Sequence, residues 1–445
     1  MSNTSVQTAP SGGSLPSAAQ SQPVVRSPRE PWIYHSFLRP LASLRLTVFL
    51  FVLSLLLVFF GTMAQIDNGI GTVMKQYFRW WWVWVPVQLL VQFGQVFFWL
   101  PKNLHVAGSF PFPAGWTVGA LLLANLLAAH LVRFKISWKR SGILLIHAGL
   151  IVLMLGELFT GLFAVEARMA IAQGETVNFI DLNDHVELAI TTPDREDPSK
   201  VQVVVVPGSL LRQGQQRISH EKLPFDIEVL SYWKNSSLIE PGHGGEVPNP
   251  RMALDGRTYG VSIEAEASGV DAEARADYPA VRVAFFPKES KENLGEQFLS
   301  LWYYPNQVFR QVEFDPQTVQ LDGITYEVDL RPKREYKDYA ITLKQFTHEK
   351  YLGTDKPKDY SSLISLTGVE GERREYKIYM NNPLRYRGET FYQSGFFPGN
   401  TGTVLQVVRN PAWLMPYFSC AIVTLGMAVH FGLTLATFLN RRKAS

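Results

Sequence analysis

The sequence predicts a membrane protein of mixed class, with four transmembrane helices carrying one large extracytoplasmic antiparallel β domain, a sandwich or distorted barrel. Three observations predict it. Apolar residues make up 47% of the chain and are gathered into a few long blocks. Short loops rich in Lys and Arg flank those blocks on one side only. Between residues 164 and 410, many short runs alternate with period two and no long helical period intervenes. At 445 residues the chain also exceeds what one hydrophobic core holds.

The elements follow in chain order. Residues 1–40 are rich in Ser, Pro, Gln and Ala and lack a hydrophobic period, which reads as a disordered cytoplasmic tail. The first transmembrane helix falls in 41–64. Its apolar run, Leu44–Ala64, holds one charge, Arg45, and is long enough to cross a ~30 Å hydrocarbon layer. Thr62-Met63-Ala64 loosely resembles a signal cleavage site, but the long leader and the length of the run favour an uncleaved anchor.

Residues 65–114 form an aromatic segment holding FRWWWVWVPVQ and VFFWLPKNLH, broken by Pro86, Pro101, Pro111 and Pro113. Trp prefers the membrane–water interface, so one or two helices lying along the outer surface are expected. The rival is a short fifth span over Val83–Leu100. Gln88, Gln92 and Gln95 fall at i, i+4 and i+7, which favours the amphipathic surface helix.

A second span occupies 115–134 and a third 141–163, around the basic hairpin Arg133-Phe134-Lys135-Ile136-Ser137-Trp138-Lys139-Arg140. A fourth occupies 411–439, and the tail 440–445 carries Arg441, Arg442 and Lys443. Positive charge at the N-terminal segment, the hairpin and the C-terminus puts all three, and both termini, in the cytoplasm. A fifth span would break that agreement. The stretch 164–410 is then extracytoplasmic. Its strand-like runs include HVELAITT, VQVVVV, AVRVAFF, YAITLKQF and EYKIYM. Pro207-Gly208, Asp255-Gly256 and Asp322-Gly323 punctuate it as turns.

Several chemistries are excluded. A net charge of +3 without a basic, aromatic-studded patch gives no sign of nucleic acid as a partner. The single cysteine, Cys420, rules out a disulfide or a CxxC pair within the chain. No nucleophile elbow, P-loop, dinucleotide-binding glycine pattern or zinc-type spacing occurs.

The residues that remain are the histidines of the spans: His130, His147 and His430. An ionisable group in hydrocarbon needs a partner or a cavity, and neutral imidazole is a good axial ligand for haem iron. The alternative is a His that bonds a neighbouring helix. Their depths differ: His130 lies three residues before Arg133, and His430 eleven before Arg441. His147 lies seven past Arg140, roughly 10 Å into the layer at 1.5 Å per residue. Gly149 and Gly156 follow it, small residues that admit another helix or a flat ligand. Glu157 reads as a rim carboxylate. His185, His220, His243 and His348 read as surface or turn residues, with His348 in a loop after a strand. Trp80, Trp81, Trp82 and Trp84 read as an interfacial belt.

RPLASLRLTVFLFVLSLLLVFFGTMAQ, KISWKRSGILLIHAGLIVLMLGELFTG, YLGTDKPKDYSSLISL and above all YMNNPLRYRGETFYQSGF resemble the ResB family of cytochrome c biogenesis proteins. The resemblance runs from about residue 39 to 440; the aromatic segment 65–113 departs from it. It implies a subunit of a System II cytochrome c synthase in a bacterial inner (cell) membrane, working with a ResC/CcsA-type membrane protein. Haem b would be the transient, transported cofactor, attached through thioethers to the CxxCH motif of an apocytochrome c. A thioredoxin-like reductant would keep those cysteines reduced, since this chain has no thiol pair.

The family's haem-ligating membrane histidine matches His147 by position, with haem iron as the metal held transiently. His130 and His430 are further candidates for holding the haem, and no catalytic residue is identified. Asn381–Tyr386 and Phe391–Phe396 are expected to form an interaction surface, or else a packed hairpin about Arg387-Gly388. Two other readings stay open: a non-catalytic scaffold for apocytochrome c with all haem ligands in the partner, and a membrane b-type electron carrier.

Overall fold

The computed structural model describes residues 37–444 apart from 67, 69–72, 134–136, 195–196, 198–199, 215–216, 241–246, 265–276, 290–291, 305–312, 351–352 and 354–356. Most of the expected tail, the centre of the basic hairpin and His243 lie outside the described residues.

Four helices are long and apolar enough to cross a membrane: Leu44–Ala64, Gly115–Val132, Trp138–Phe163 and Met415–Lys443. Apolar side chains surround each of them, so Phe49, Val52 and Leu55 of the first and Phe431, Leu435 and Phe438 of the fourth stand exposed. A helix apolar all round suits lipid and not water. The spans pack as two pairs, the first with the second and the third with the fourth.

The first pair is tied by Asn125, which is buried mid-span. Its Nδ2 donates to Leu41 O (2.5 Å) and Ser43 O (3.2 Å), and its Oδ1 accepts from Thr47 Oγ1 (2.7 Å). An unmet amide in hydrocarbon is costly, so this one is satisfied.

The third and fourth spans meet along a seam of small residues. A Cβ on Gly142 would lie 2.5 Å from the His430 backbone N, one on Gly149 2.5 Å from Val423, and one on Gly156 2.8 Å from Met415. The heptad spacing of these glycines therefore admits another helix, and Ser419 Oγ donates to Gly149 O across the seam at 2.8 Å.

The aromatic segment differs from expectation. A two-stranded ribbon, Trp82–Pro86 with Ser109–Pro113, precedes and follows one helix, Val87–Phe97. Along WVWVP the alternation has period two: Val83 and Val85 enter a core with Leu57, Phe60, Ala64 and Tyr77, while Trp82 and Trp84 face outward. That helix stops at eleven residues and lies against the first span, with Phe59 and Phe93 edge to face at 5.2 Å. Two of the glutamines do not form a water-facing stripe. Gln88 Oε1 accepts from Val106 N (3.0 Å), and Gln95 Nε2 donates to Pro101 O (3.1 Å), fastening the return loop.

In the β domain a ten-stranded antiparallel sheet dominates. In spatial order its main path is Arg373–Tyr379, Pro357–Thr367, Ile324–Lys350, Thr176–Pro193, Val165–Ala172, Gly402–Arg409, Glu389–Phe396 and Leu384–Tyr386. Thr318–Leu321 and Val201–Pro207 pair beside the two longest strands. Ile364 and Ile378 from one end of this order share a core with Leu384 and Phe391 from the other. The sheet is thus curled towards closure there. Elsewhere it opens and packs on a four-stranded sheet, where Leu188, Ile190 and Val328 meet Phe225, Val283 and Phe285. Sandwich and distorted barrel coexist, one in each core. A smaller three-stranded sheet packs Tyr259 and Val261 on Tyr303 and Phe314.

Between the two cores, Asp181 is largely but not fully buried beside Arg334 at 3.7 Å. Burial outweighs the attraction of Arg334 and Arg331 and pushes its carboxyl up to about 6. A raised acid binds its proton more tightly folded than unfolded. Its contribution is therefore present below about pH 4 and is lost as pH rises through 6, a swing of roughly 3 kcal/mol. Asp181→Asn is expected to flatten the stability profile between pH 4 and 6 and to raise stability at pH 8, as read by urea unfolding. An unchanged profile would show that Asp181 titrates normally.

Candidate functional site

The third span runs without a break into strand Val165–Ala172, and strand Gly402–Arg409 leads back into the fourth. These strands are neighbours, with Val165 opposite Arg409. The packed helix pair is thus continuous with a hydrogen-bonded strand pair. Thr160 and Asn410 join the two at the junction, Asn410 Nδ2 donating to Thr160 Oγ1 at 3.2 Å. Arg385 lies over the Trp413 ring at 3.9 Å beside the same junction. Glu157 is salt-bridged to Arg79 of the aromatic segment at 3.5 Å.

A charged cluster lies close above. Lys337 Nζ donates to Glu389 Oε1 (2.6 Å) and Glu335 Oε1 (2.7 Å), Arg409 pairs with Glu335 (3.1 Å), and Tyr339 donates to Glu389. The register of the long strand Ile324–Lys350 slips between Tyr336 and Ile341, and that irregularity carries Lys337 and Tyr339 onto Glu389. Two cations face two carboxylates, and Lys337 and Glu389 are buried. The hydrogen bond from Lys337 holds Glu335 below the usual carboxylate range. Burial and the adjoining Glu389 push the Tyr339 phenol up. Full pairing marks this cluster as structural.

At the hairpin end of the spans, His147 and His130 are in contact. Their rings meet edge to face with centroids 4.9 Å apart, and His147 Nδ1 lies 3.1 Å from His130 Nε2. Counting residues from the flanking basic groups put them at different depths. The count leaves out side-chain direction. Each Cα–Cβ bond leans towards the N-terminus of its helix. The second span runs towards the hairpin and the third away from it, so the two imidazoles lean together.

His147 lies about 140° around its helix from Gly142, at 100° per residue, and so faces away from the fourth span. His430 lies at Gly142 through its backbone N and Cβ, and among the described residues it makes no hydrogen bond to either imidazole. The structure therefore unites two of the three candidate histidines and leaves the third apart.

The pair has a defined hydrogen-bond polarity. His130 Nδ1 lies 2.8 Å from Leu126 O, and a carbonyl can only accept. In the neutral pair, Nδ1 of His130 therefore carries the proton and its Nε2 is an acceptor. His147 then donates through Nδ1–H, and its own Nε2 keeps a bare lone pair. Both rings are half-buried, and Leu127 and Leu150, each three residues away along its helix, are exposed apolar neighbours. A neutral imidazole nitrogen with a bare lone pair on an apolar surface fits the iron of a flat, apolar haem. Among the described residues no cluster of three or more His, Cys, Asp or Glu could hold a metal ion.

The other predicted residues are placed as follows. His348 lies inside the long strand rather than in a loop, stacked on Tyr360 at 4.6 Å and near Phe396 at 4.9 Å. The segments 381–386 and 391–396 form the packed hairpin: Leu384–Tyr386 pairs with Glu389–Phe396 about Arg387 (φ 48°) and Gly388 (φ 80°). Leu384 and Phe391 are core residues, and Tyr386 donates to Glu372 at 3.1 Å. Trp80, Trp81, Trp82 and Trp84 are exposed. Sequence reasoning passed over Asn125, although a lone amide inside an apolar run was the available signal.

Residues 315–402 match the profile of the ResB-like family. The chain is 28% identical over 112 residues to protein NrfI of Wolinella succinogenes, covering 25% of this chain and 12% of that protein. It is 35% identical over 81 residues to cytochrome c biogenesis protein CcsB of Crocosphaera subtropica, covering 18% of this chain and 17% of that one. The matches thus span less than a fifth of either relative's length. The family match contains the cluster residues Glu335, Lys337, Tyr339 and Glu389 and the hairpin about Gly388.

Proposed function

From the match of residues 315–402 to the ResB-like family, we propose that the chain acts in cytochrome c biogenesis as the haem-handling membrane subunit of a System II synthase. Its partner would be a ResC/CcsA-type membrane protein, and its protein substrate an apocytochrome c. The observation that carries the haem reading is the bare Nε2 of His147, held by a neighbouring imidazole on an apolar helix surface. The basic hairpin faces the cytoplasm in this reading, so haem meets His147 about 10 Å into the layer and passes outward. His147 binds and orients the iron, and the spans exclude water. With the single Cys420, the chain supplies no thiol pair and leaves cysteine reduction to a thioredoxin-like partner.

The test is to purify the chain with its partner, record the haem Soret band, and repeat with His147→Ala alongside a maturation assay. Loss of at least tenfold in both haem occupancy and holocytochrome yield is expected. Unchanged values in both would sink the ligand assignment. A second reading is favoured by one observation: the family match lies wholly within the β domain. There the chain is a scaffold that presents apocytochrome c, and all haem ligands belong to the partner. That reading predicts normal maturation when His130, His147 and His430 are all replaced by Ala.

A further inference from the structure

The hydrogen-bond chain behind His147 assigns a role to the second histidine. We propose that His130 is a positioning residue for His147: it locks His147 in the Nδ1–H tautomer and turns its Nε2 outward as the atom that meets iron. The inference deepens the haem reading above and rests on it.

Three features carry it. The chain of acceptors has one direction, because it ends on Leu126 O, which has no proton to give. Leu126 belongs to the same helix as His130, four residues earlier, so the anchor is as rigid as the helix itself. The third and fourth spans are fixed to each other by the glycine seam, and His147 points away from that seam towards the second span. Among the described residues, the hydrogen bond that orients the ring comes from the second span.

Tautomer matters because a histidine protonated at Nε2 offers iron no lone pair there. An imidazole that donates its other N–H to a good acceptor is also a stronger base and a better-oriented ligand. Removing such a partner commonly weakens metal binding by about 10–100-fold. Two adjacent imidazoles thus have unequal roles: His147 touches the cargo, and His130 acts through it.

The experiment uses the full chain copurified with its membrane partner and titrated with haemin. Occupancy is read from the Soret band, and the Fe–His stretch by resonance Raman after reduction. The variants are His130→Ala, His130→Gln and His147→Ala. His130→Ala is expected to lower occupancy about tenfold and to move the remaining Fe–His stretch to lower frequency, as a weaker base would. His130→Gln, whose amide oxygen can accept from His147 Nδ1–H, is expected to restore most of both. Rescue by Gln marks orientation rather than mere packing.

Unchanged occupancy and stretch in His130→Ala would overturn the positioning role. So would failure of Gln to rescue in a chain that still assembles with its partner. So would abolition of the Fe–His band by His130→Ala while His147→Ala retains it, because His130 would then be the ligand. If His147→Ala leaves occupancy and band unchanged, the haem reading itself fails and the positioning role fails with it. If His147→Ala removes the band and His130→Ala does nothing, only the positioning role fails.

Discussion

Gly142→Ala is expected to destabilise the third and fourth spans and to cut cytochrome maturation, whereas Gly432→Ala is expected to change neither. Both glycines lie in apolar helices, and composition does not separate them. A Cβ at Gly142 would sit 2.5 Å from the His430 N, 2.6 Å from its Cβ and 2.7 Å from Gly426 O. Most of those atoms are backbone, so no side chain can rotate away and the helices must part. A Cβ at Gly432 meets nothing within 4 Å. Overpacking of a tight contact costs about 1–3 kcal/mol, and a parted seam also loses the hydrogen bond from Ser419 to Gly149 O. Inside a bilayer no hydrophobic force holds helices together, so close van der Waals contact carries most of the association. Thermal unfolding in detergent reads the effect as a fall in midpoint for Gly142→Ala alone. Equal midpoints for the two variants would refute the seam.

The second large effect belongs to the charged cluster of the β domain. Glu389→Ala leaves the Lys337 ammonium buried with only Glu335 beside it, and leaves the Tyr339 hydroxyl without its acceptor. Breaking a buried pair from one side typically costs about 3–5 kcal/mol, because a charge stays desolvated, and the remaining Glu335 offsets part of that cost here. Replacing both members by apolar residues of similar size, Lys337→Met with Glu389→Leu, removes that charge altogether. The double variant is expected to recover much of the stability in a proteolysis-based unfolding assay on the full chain. The singles should show a coupling well above 1 kcal/mol. Additive losses would mean that the two residues act independently. The cluster adjoins the strand pair that continues into the third and fourth spans, and its loss should also lower maturation.

Much of the architecture was written in the order of residues. Leu44–Ala64 holds a single charge, Arg45 at its start, and is otherwise almost wholly apolar, so its length and composition mark it as a membrane span before any packing is known. The apolar, β-branched run AVRVAFF marks a strand, and the structure pairs Ala280–Pro287 on both sides and buries both its faces, with Arg282 exposed. The ribbon Trp82–Pro86 shows where local reading went astray. Its period-two signal was present, but the affinity of Trp for interfaces suggested a surface helix. Packing of Val83 and Val85 on the first span decided the matter. His348 was misread for a similar reason: Gly and Pro just beyond it signalled a loop, while pairing with Tyr360 keeps it in a strand.

The candidate site divides along the same line. Sequence by itself determined that imidazoles lie within apolar spans and that His147 follows a basic hairpin, because hydropathy and charge are local properties of the chain. It determined that no thiol pair exists, because a single cysteine cannot make one. Only the tertiary structure decided that His130 meets His147, that His430 stands apart, and that the glycines of the third span admit a helix. Those outcomes depend on how antiparallel helices aim their side chains and where two backbones can approach, and neither is encoded by position along one chain. The direction of the proton in the His130–His147 pair came last, from the position of one carbonyl oxygen in space.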